Sequence, residues 1–157
     1  FSDVWSSEDG INWIQIVKES PWQDRRSIQV VNFKGKMWLM GGWGPKVGCK
    51  NDVWSSENGI NWTKEIEHAA WPAREGHQLV VFQNKMWLMG GVRYDTHKLF
   101  NDVWYSEDGI NWQKTNNDPL WTGREDTTVV VFKDKIWVLG GMDKNWQWKN
   151  DVWFSTY

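Results

Sequence analysis

Residues 101–112 read Asn-Asp-Val-Trp-Tyr-Ser-Glu-Asp-Gly-Ile-Asn-Trp, and this stretch decides the fold because the chain repeats it. Residues 51–62 and 2–13 carry the same pattern with few changes, and residues 150–155 carry its first half. The aspartates of the four copies are 49, 50 and 49 residues apart. A period near 50 residues indicates a repeat architecture, in which each unit buries its apolar face against its neighbours.

Each repeat is predicted to contain four short strands and no helix. The first two are apolar, β-branched and aromatic runs joined by two turn-forming residues, as in residues 28–33, Lys34-Gly35 and residues 36–40, and this pattern predicts a tight β-hairpin. Two glycines follow, and then a loop of eight or nine residues that differs in every copy. The repeated stretch supplies the third strand, and its Asp-Gly or Asn-Gly pair predicts a second tight turn into the fourth.

Tryptophan usage separates the frame of the repeat from the rest of the chain. Thirteen of the 16 tryptophans stand at four recurring positions, where we interpret them as large core side chains between stacked sheets. Only Trp43, Trp146 and Trp148 lie outside this pattern. These three therefore need a separate explanation.

Charge, cysteine content and the length of the apolar runs exclude several kinds of partner and structural site. The formal net charge is −2, with 18 basic and 20 acidic residues interspersed, so we expect neither nucleic acid nor an anionic membrane as a partner. The one cysteine, Cys49, excludes an intrachain disulfide and a Cys/His zinc cluster. No apolar run approaches the roughly 20 residues of a membrane span, so membrane insertion is not expected.

The chain begins at Phe1 without an initiator methionine or a signal sequence, so we expect a processed product or a piece of a longer array. The compartment stays open, with a secreted or bacterial cell-surface location favoured over the cytoplasm.

Four short strands every 50 residues are typical of a β-propeller blade. The chain resembles kelch repeats through the double glycine after an apolar strand, as in residues 37–42, followed by the aromatic pair Trp54 and Trp62. It departs from them because the kelch pair is usually a Tyr and a Trp one residue closer together. Residues 106–112 also resemble a shortened Asp-box, a hairpin motif of sialidase-like propellers. The resemblance implies an all-β propeller of four-stranded antiparallel blades, and propellers host many unrelated activities.

The repeat predicts three blade equivalents. We label the four strands of a blade A to D in chain order. Residues 1–24 supply strands C and D of a shared blade, residues 25–73 and 74–123 form two full repeats, and residues 124–157 form a repeat that lacks strand D. Propellers typically have about 4 to 8 blades, so three do not close a ring. Either two copies of the chain make a six-bladed homodimer, or the chain belongs to a longer polypeptide.

In an up-and-down meander all the variable loops emerge on one face, and variable loops on a rigid frame usually carry binding. We therefore predict a ligand-binding face for a protein or a carbohydrate, where aromatic side chains stack on sugar rings or enter a partner's pocket. The alternative for the aromatic side chains is burial at a seam between blades or against a symmetry-related copy of the chain. The predicted ligand-binding residues are Trp43, Arg93, Tyr94, His97, Trp146 and Trp148.

A recurring arginine stands at the start of the first strand of each repeat. The first strands of a propeller line its central channel, so these arginines are predicted to lie at the mouth of that channel. A ring of guanidinium groups could bind an anion through paired N–H donors, whereas the framework alternative pairs each with a nearby carboxylate or a backbone carbonyl. The three residues are Arg25, Arg74 and Arg124, and the carboxylates are Asp24, Glu75 and Glu125. The recurring aspartates are predicted to cap the turn into strand C rather than to bind metal. These aspartates are Asp3, Asp52, Asp102 and Asp151.

Three functional classes remain open. The preferred one is a non-catalytic binding and assembly module without a cofactor or metal, because the three histidines stand at unrelated repeat positions. The second is a propeller enzyme, a glycoside hydrolase or an oxidase, with a site at the channel mouth. Cys49 and Tyr94 invite comparison with copper-radical oxidases but stand in no matching motif, and spacing assigns no Tyr-Glu nucleophile pair of the sialidase kind. The third is a purely structural repeat fragment.

Overall fold

A computed structural model describes residues 2–156 of the chain. Within this range it contains antiparallel β-strands, one 3-10 turn at Tyr94–Thr96 and no α-helix, which confirms the all-β prediction. None of the described segments is a helix long and apolar enough to cross a membrane. The strands are β1 (Val4–Ser6), β2 (Ile14–Val17), β3 (Gln29–Phe33), β4 (Lys36–Met40), β5 (Trp43–Gly44), β6 (Gly48–Cys49), β7 (Val53–Ser56), β8 (Thr63–Ile66), β9 (Gln78–Phe82), β10 (Lys85–Met89), β11 (Val92–Arg93), β12 (Lys98–Leu99), β13 (Val103–Ser106), β14 (Trp112–Lys114), β15 (Arg124–Glu125), β16 (Thr128–Phe132), β17 (Lys135–Leu139), β18 (Met142–Asp143) and β19 (Val152–Phe154).

The longer strands form four consecutive antiparallel units. The N-terminal hairpin is β1-β2, sheet 1 is β3-β4-β7-β8, sheet 2 is β9-β10-β13-β14, and the C-terminal sheet is β16-β17-β19. Strand β9 contacts both β3 and β16, so the first strands of the three sheets lie side by side. The strand pairings of residues 2–156 close no ring.

The first hairpin of each repeat has the predicted two-residue turn. Lys34 and Gly35 take φ values of 49° and 75°, and Gln83-Asn84 and Lys133-Asp134 also take positive φ at both positions. A turn of this kind matches the right-handed twist of the two strands that it joins. Phe33 therefore pairs directly with Lys36, as the sequence predicts.

The second hairpin differs from the prediction of a tight Asp-Gly turn. In the 51–62 copy Ser55 pairs with Thr63 across seven residues, and in the third copy Ser106 pairs with Trp112 across five. Only the glycine of each loop takes positive φ. In the third copy the Ser106 hydroxyl accepts the Gly109 N–H at 2.8 Å, and Asp108 accepts the N–H groups of Ile110 and Asn111. Serine and aspartate side chains thus take over the backbone donors and stabilise a longer loop.

The core consists of three apolar clusters, one between each pair of successive units. In the cluster between sheets 1 and 2, Trp71 and Trp112 meet edge to face at 6.2 Å. Most of the recurring tryptophans are buried or half-buried, as predicted for core side chains. Trp5 and Trp13 of the N-terminal hairpin are exposed instead.

Candidate functional site

The recurring arginines are buried in the frame of the repeat. Arg74 donates to the two carboxylate oxygens of Asp102 at 2.6 and 2.9 Å, and also to the carbonyl oxygens of Gly90 and Pro72. The indole N–H of Trp104 donates to the same carboxylate at 2.9 Å. Such a bidentate pair is among the stronger hydrogen-bonded contacts in proteins.

The same arginine–aspartate contact recurs in the repeats before and after that of Arg74. Arg25 pairs with Asp52, and Arg124 pairs with Asp151, where the hydrogen bond from the guanidinium lowers the pKa of Asp151 to about 2. The prediction that these aspartates cap the turn is wrong, because their oxygens accept from arginine and tryptophan side chains. The terminal nitrogens that an anion would need are bound to protein acceptors.

The residue that follows each recurring arginine lies next to the variable loops. Arg26 pairs with Trp43 through backbone bridges, Glu75 does so with Val92, and Glu125 pairs with Met142. These three positions hold Arg, Glu and Glu, so unlike the arginine before them they are not the same in all three repeats.

Their side chains form a polar row, which we call the inner cluster: Arg26, Trp43, Glu75, Tyr94 and Glu125. Arg26 donates to Glu75 at 3.0 Å and lies 4.6 Å from the centre of the Trp43 ring. The Tyr94 hydroxyl donates to the Glu125 carboxylate, with oxygen distances of 2.9 and 2.7 Å. Both glutamates are buried, while the Arg26 side chain is 63% exposed.

Burial is the main cause of the pKa shifts of two members of the inner cluster, Glu125 and Tyr94. It raises the pKa of Glu125, and the hydrogen bond from Tyr94 offsets part of that shift. Burial and the adjacent Glu125 carboxylate both raise the pKa of Tyr94 above its usual value. Tyr94 therefore remains a neutral hydrogen-bond donor at physiological pH.

A shallow cavity of about 80 Å³ opens beside the inner cluster. It brings together Tyr94, His97 and Trp146, three of the predicted ligand-binding residues, with Glu125, Asp143 and Lys144 in the same wall. Trp146 takes a φ of 59° and donates its N–H to the Asp143 carbonyl at 3.0 Å. The Asp143 carboxylate accepts the N–H groups of Asn145 and Gln147, which fixes the loop that presents Trp146.

The other predicted residues lie outside this cavity. Trp43 is half-buried against Arg26, and Arg93 pairs with Asp95 of its own loop at 2.8 Å. Trp148 is 72% exposed, and its backbone bridges to Met142. Sequence reasoning did not select Arg26 as a site residue and named Glu75 and Glu125 only as arginine partners. A sequence signal for Arg26 was available, because the residue after the recurring arginine is Arg in the first repeat and Glu in the other two.

The fold is thus an all-β repeat of antiparallel sheets with polar and aromatic side chains gathered at its loops. Comparison with protein-family models and with curated proteins found no match. Among solved structures, that of YjhT is similar at a TM-score of 0.75 and 17% sequence identity. The similarity covers 95% of this chain and 58% of YjhT, so the chain spans somewhat more than half of that protein's length. At this identity the likeness shows the fold alone.

Proposed function

We propose that the chain is a non-catalytic binding and assembly module, a segment of a kelch-type β-propeller that takes a carbohydrate or protein ligand on its variable loops. The repeat of about 50 residues and the four-stranded antiparallel order of sheets 1 and 2 support the propeller assignment. The frame is uniform from repeat to repeat, so the differences between repeats carry the recognition.

One observation carries the binding proposal: Tyr94, His97 and Trp146 come from two different variable loops and line one cavity with acidic neighbours. Trp146 is 65% exposed although tryptophan has a large apolar side chain. Hydrogen bonds fix the loop that carries it. An aromatic ring beside carboxylates suits a sugar, whose apolar face stacks on the ring while its hydroxyls donate to the carboxylates. It also suits an aromatic or aliphatic side chain of a protein partner.

Binding can be tested with a glycan array and a panel of proteins, followed by titration of the best ligand. We expect Trp146→Ala to weaken binding at least tenfold, because the stacking surface is lost. Trp148→Ala is the matched control, since Trp148 is equally exposed but lies outside the cavity. A double variant that carries both Trp146→Ala and Trp148→Ala and still binds as tightly as the wild type would refute the proposal.

We also propose that two copies close a six-bladed ring. The side-by-side contacts of β3, β9 and β16 support one continuous arc, and the C-terminal sheet has one strand fewer than its neighbours. An open arc exposes sheet edges and apolar faces, which self-association covers.

A second candidate, a glycoside hydrolase, is favoured by the Tyr94–Glu125 contact. A buried glutamate of raised pKa that accepts from a phenol is the kind of group that acts as a general acid or base. A broad panel of glycoside substrates tests this candidate, with Glu125→Gln expected to abolish any turnover found. No turnover on any substrate removes it.

A further inference from the structure

An apolar groove of about 580 Å³ lies between sheet 2 and the C-terminal sheet. Its apolar wall comes from both sheets and from the link that joins them. Among the wall residues are Phe82, Trp87, Met89, Trp121, Ile136 and Val138.

The chain itself contains the same wall with an occupant. One repeat earlier, the equivalent positions form the cluster between sheets 1 and 2, and the side chain packed into it is Trp112, the first residue of β14, directly after the β13–β14 loop. Trp112 meets Trp71, the counterpart of Trp121, edge to face. Gly109 of the same loop lies so close to the ring of Trp38, the counterpart of Trp87, that a Cβ atom would not fit. The groove is therefore shaped for a loop with a glycine followed three residues later by tryptophan.

Three loops of this chain have that pattern, and one of them is free. Trp62 packs on Trp22 at 4.6 Å, and Trp112 is buried between sheets 1 and 2. Trp13 of the N-terminal hairpin is 57% exposed, and a Cβ atom on Gly10 would meet nothing within 4 Å.

The N-terminal hairpin has a second unmatched group. Asp3 accepts from the Trp5 indole at 2.8 Å, as the equivalent aspartates do from their own tryptophans. Within residues 2–156, however, Asp3 forms no ion pair with an arginine, whereas Asp52, Asp102 and Asp151 each do.

We infer that the groove is the docking site for the N-terminal hairpin of a second copy of this chain. Trp13 of that copy packs on Trp121, and its Gly10 lies against Trp87. Its β1 takes the place of β19 beside β17, and its β2 becomes the fourth strand. Its Asp3 accepts from Arg124 of the first copy and from its own Trp5, in the way that Asp151 accepts from Arg124 and Trp153 in the single chain.

The exchange is feasible because β19 is short and lies at an edge. It has three residues, of which Val152 and Phe154 are half-exposed, and the incoming β1 carries the same Asp-Val-Trp sequence. Each chain has one hairpin and one groove, so two reciprocal junctions close a twofold assembly. The inference rests on the proposed self-association and names the surfaces that perform it.

Sedimentation equilibrium of the whole chain tests these surfaces. We expect Trp13→Ser and Gly10→Asn each to weaken association at least tenfold. Asn tolerates a positive φ and its Cβ has open space in the free hairpin, so Gly10→Asn should leave the monomer's thermal midpoint nearly unchanged while blocking contact with Trp87. Trp148→Ser, at an exposed tryptophan outside both the groove and the loop cavity, serves as the control and should associate like the wild type.

A mixing experiment checks that hairpin and groove are partners. Leu120 is 90% exposed at the rim of the groove, so Leu120→Asp should weaken association without unfolding the chain. Mixing Trp13→Ser with Leu120→Asp should restore a one-to-one dimer, because one junction is then intact. A wild-type dimer that survives both hairpin variants would overturn this inference and leave self-association standing, whereas a monomeric wild type would overturn both.

Discussion

Arg74 bonds the two oxygens of Asp102, while Glu75, the next residue in the chain, faces Arg26 of the preceding repeat. Adjacent positions thus serve the frame and the candidate site. The recurrence of arginine predicted the first role, because a group needed in every repeat is a structural group. The partner carboxylate was not predictable by proximity in sequence, since it lies on the third strand of the sheet, 28 residues away. The extended backbone brings the start of the first strand and the start of the third strand together.

His77 shows how a buried titratable side chain makes the stability of the fold depend on pH. It is fully buried, and neither ring nitrogen has a hydrogen-bond partner among the described residues. Burial, with a smaller contribution from Arg74, lowers the pKa of His77 to about 3. Between pH about 6.5 and 3 the unfolded chain therefore binds a proton that the folded chain does not, and stability falls as the pH falls through this window.

We expect His77→Thr to remove this pH dependence, since threonine stands at the equivalent position 127. From pH 7 to pH 5 the wild type should lose about 2 kcal/mol of unfolding free energy more than the variant does. Urea unfolding at the two pH values measures the difference. Parallel losses in both proteins would mean that other groups cause the acid sensitivity.

At the scale of the element, the connection between the third and fourth strands combines a turn held by hydrogen bonds with a tryptophan that packs between two sheets. In the 106–112 copy, serine and aspartate hold the backbone, the glycine allows close approach, and Trp112 fills the space between two sheets. The sequence predicted the first two strands of each repeat to within a residue, because their apolar runs and turn residues are local. It did not predict the two-residue strands of the variable loops, such as β5 and β6. It predicted the wrong turn, since the hydrogen bonds that the Ser106 and Asp108 side chains accept from backbone N–H groups outweigh the Asp-Gly preference.

Two copies of this loop permit a paired test. The Ser106 hydroxyl is buried and bonds the N–H groups of Asp108 and Gly109, and Ser7 makes the same bonds in an exposed loop. Ser106→Ala should cost about 1 to 3 kcal/mol of unfolding free energy, because buried donors lose their acceptor. Ser7→Ala should cost less, because water replaces the hydroxyl. Chemical denaturation of both variants measures this contrast, and equal losses would contradict it.

At the scale of the whole molecule, the proposed dimer depends on the two ends of the chain. The N-terminal hairpin exposes Trp13, and the C-terminal sheet presents an apolar groove built like the one that holds Trp112. The sequence predicted an incomplete ring from the strand count alone. It predicted the candidate site less well, because Tyr94, Glu125 and Trp146 lie in different loops or strands, and only the fold brings them together.

The mass of the wild-type chain in solution tests the closed-ring account most directly. Native mass spectrometry, with sedimentation at tens of micromolar, should find two copies of the 18.6 kDa chain in one particle. The dimer should persist on moderate dilution, because each junction replaces exposed tryptophan surface with an interior contact. A single species of 18.6 kDa at every concentration would contradict the account.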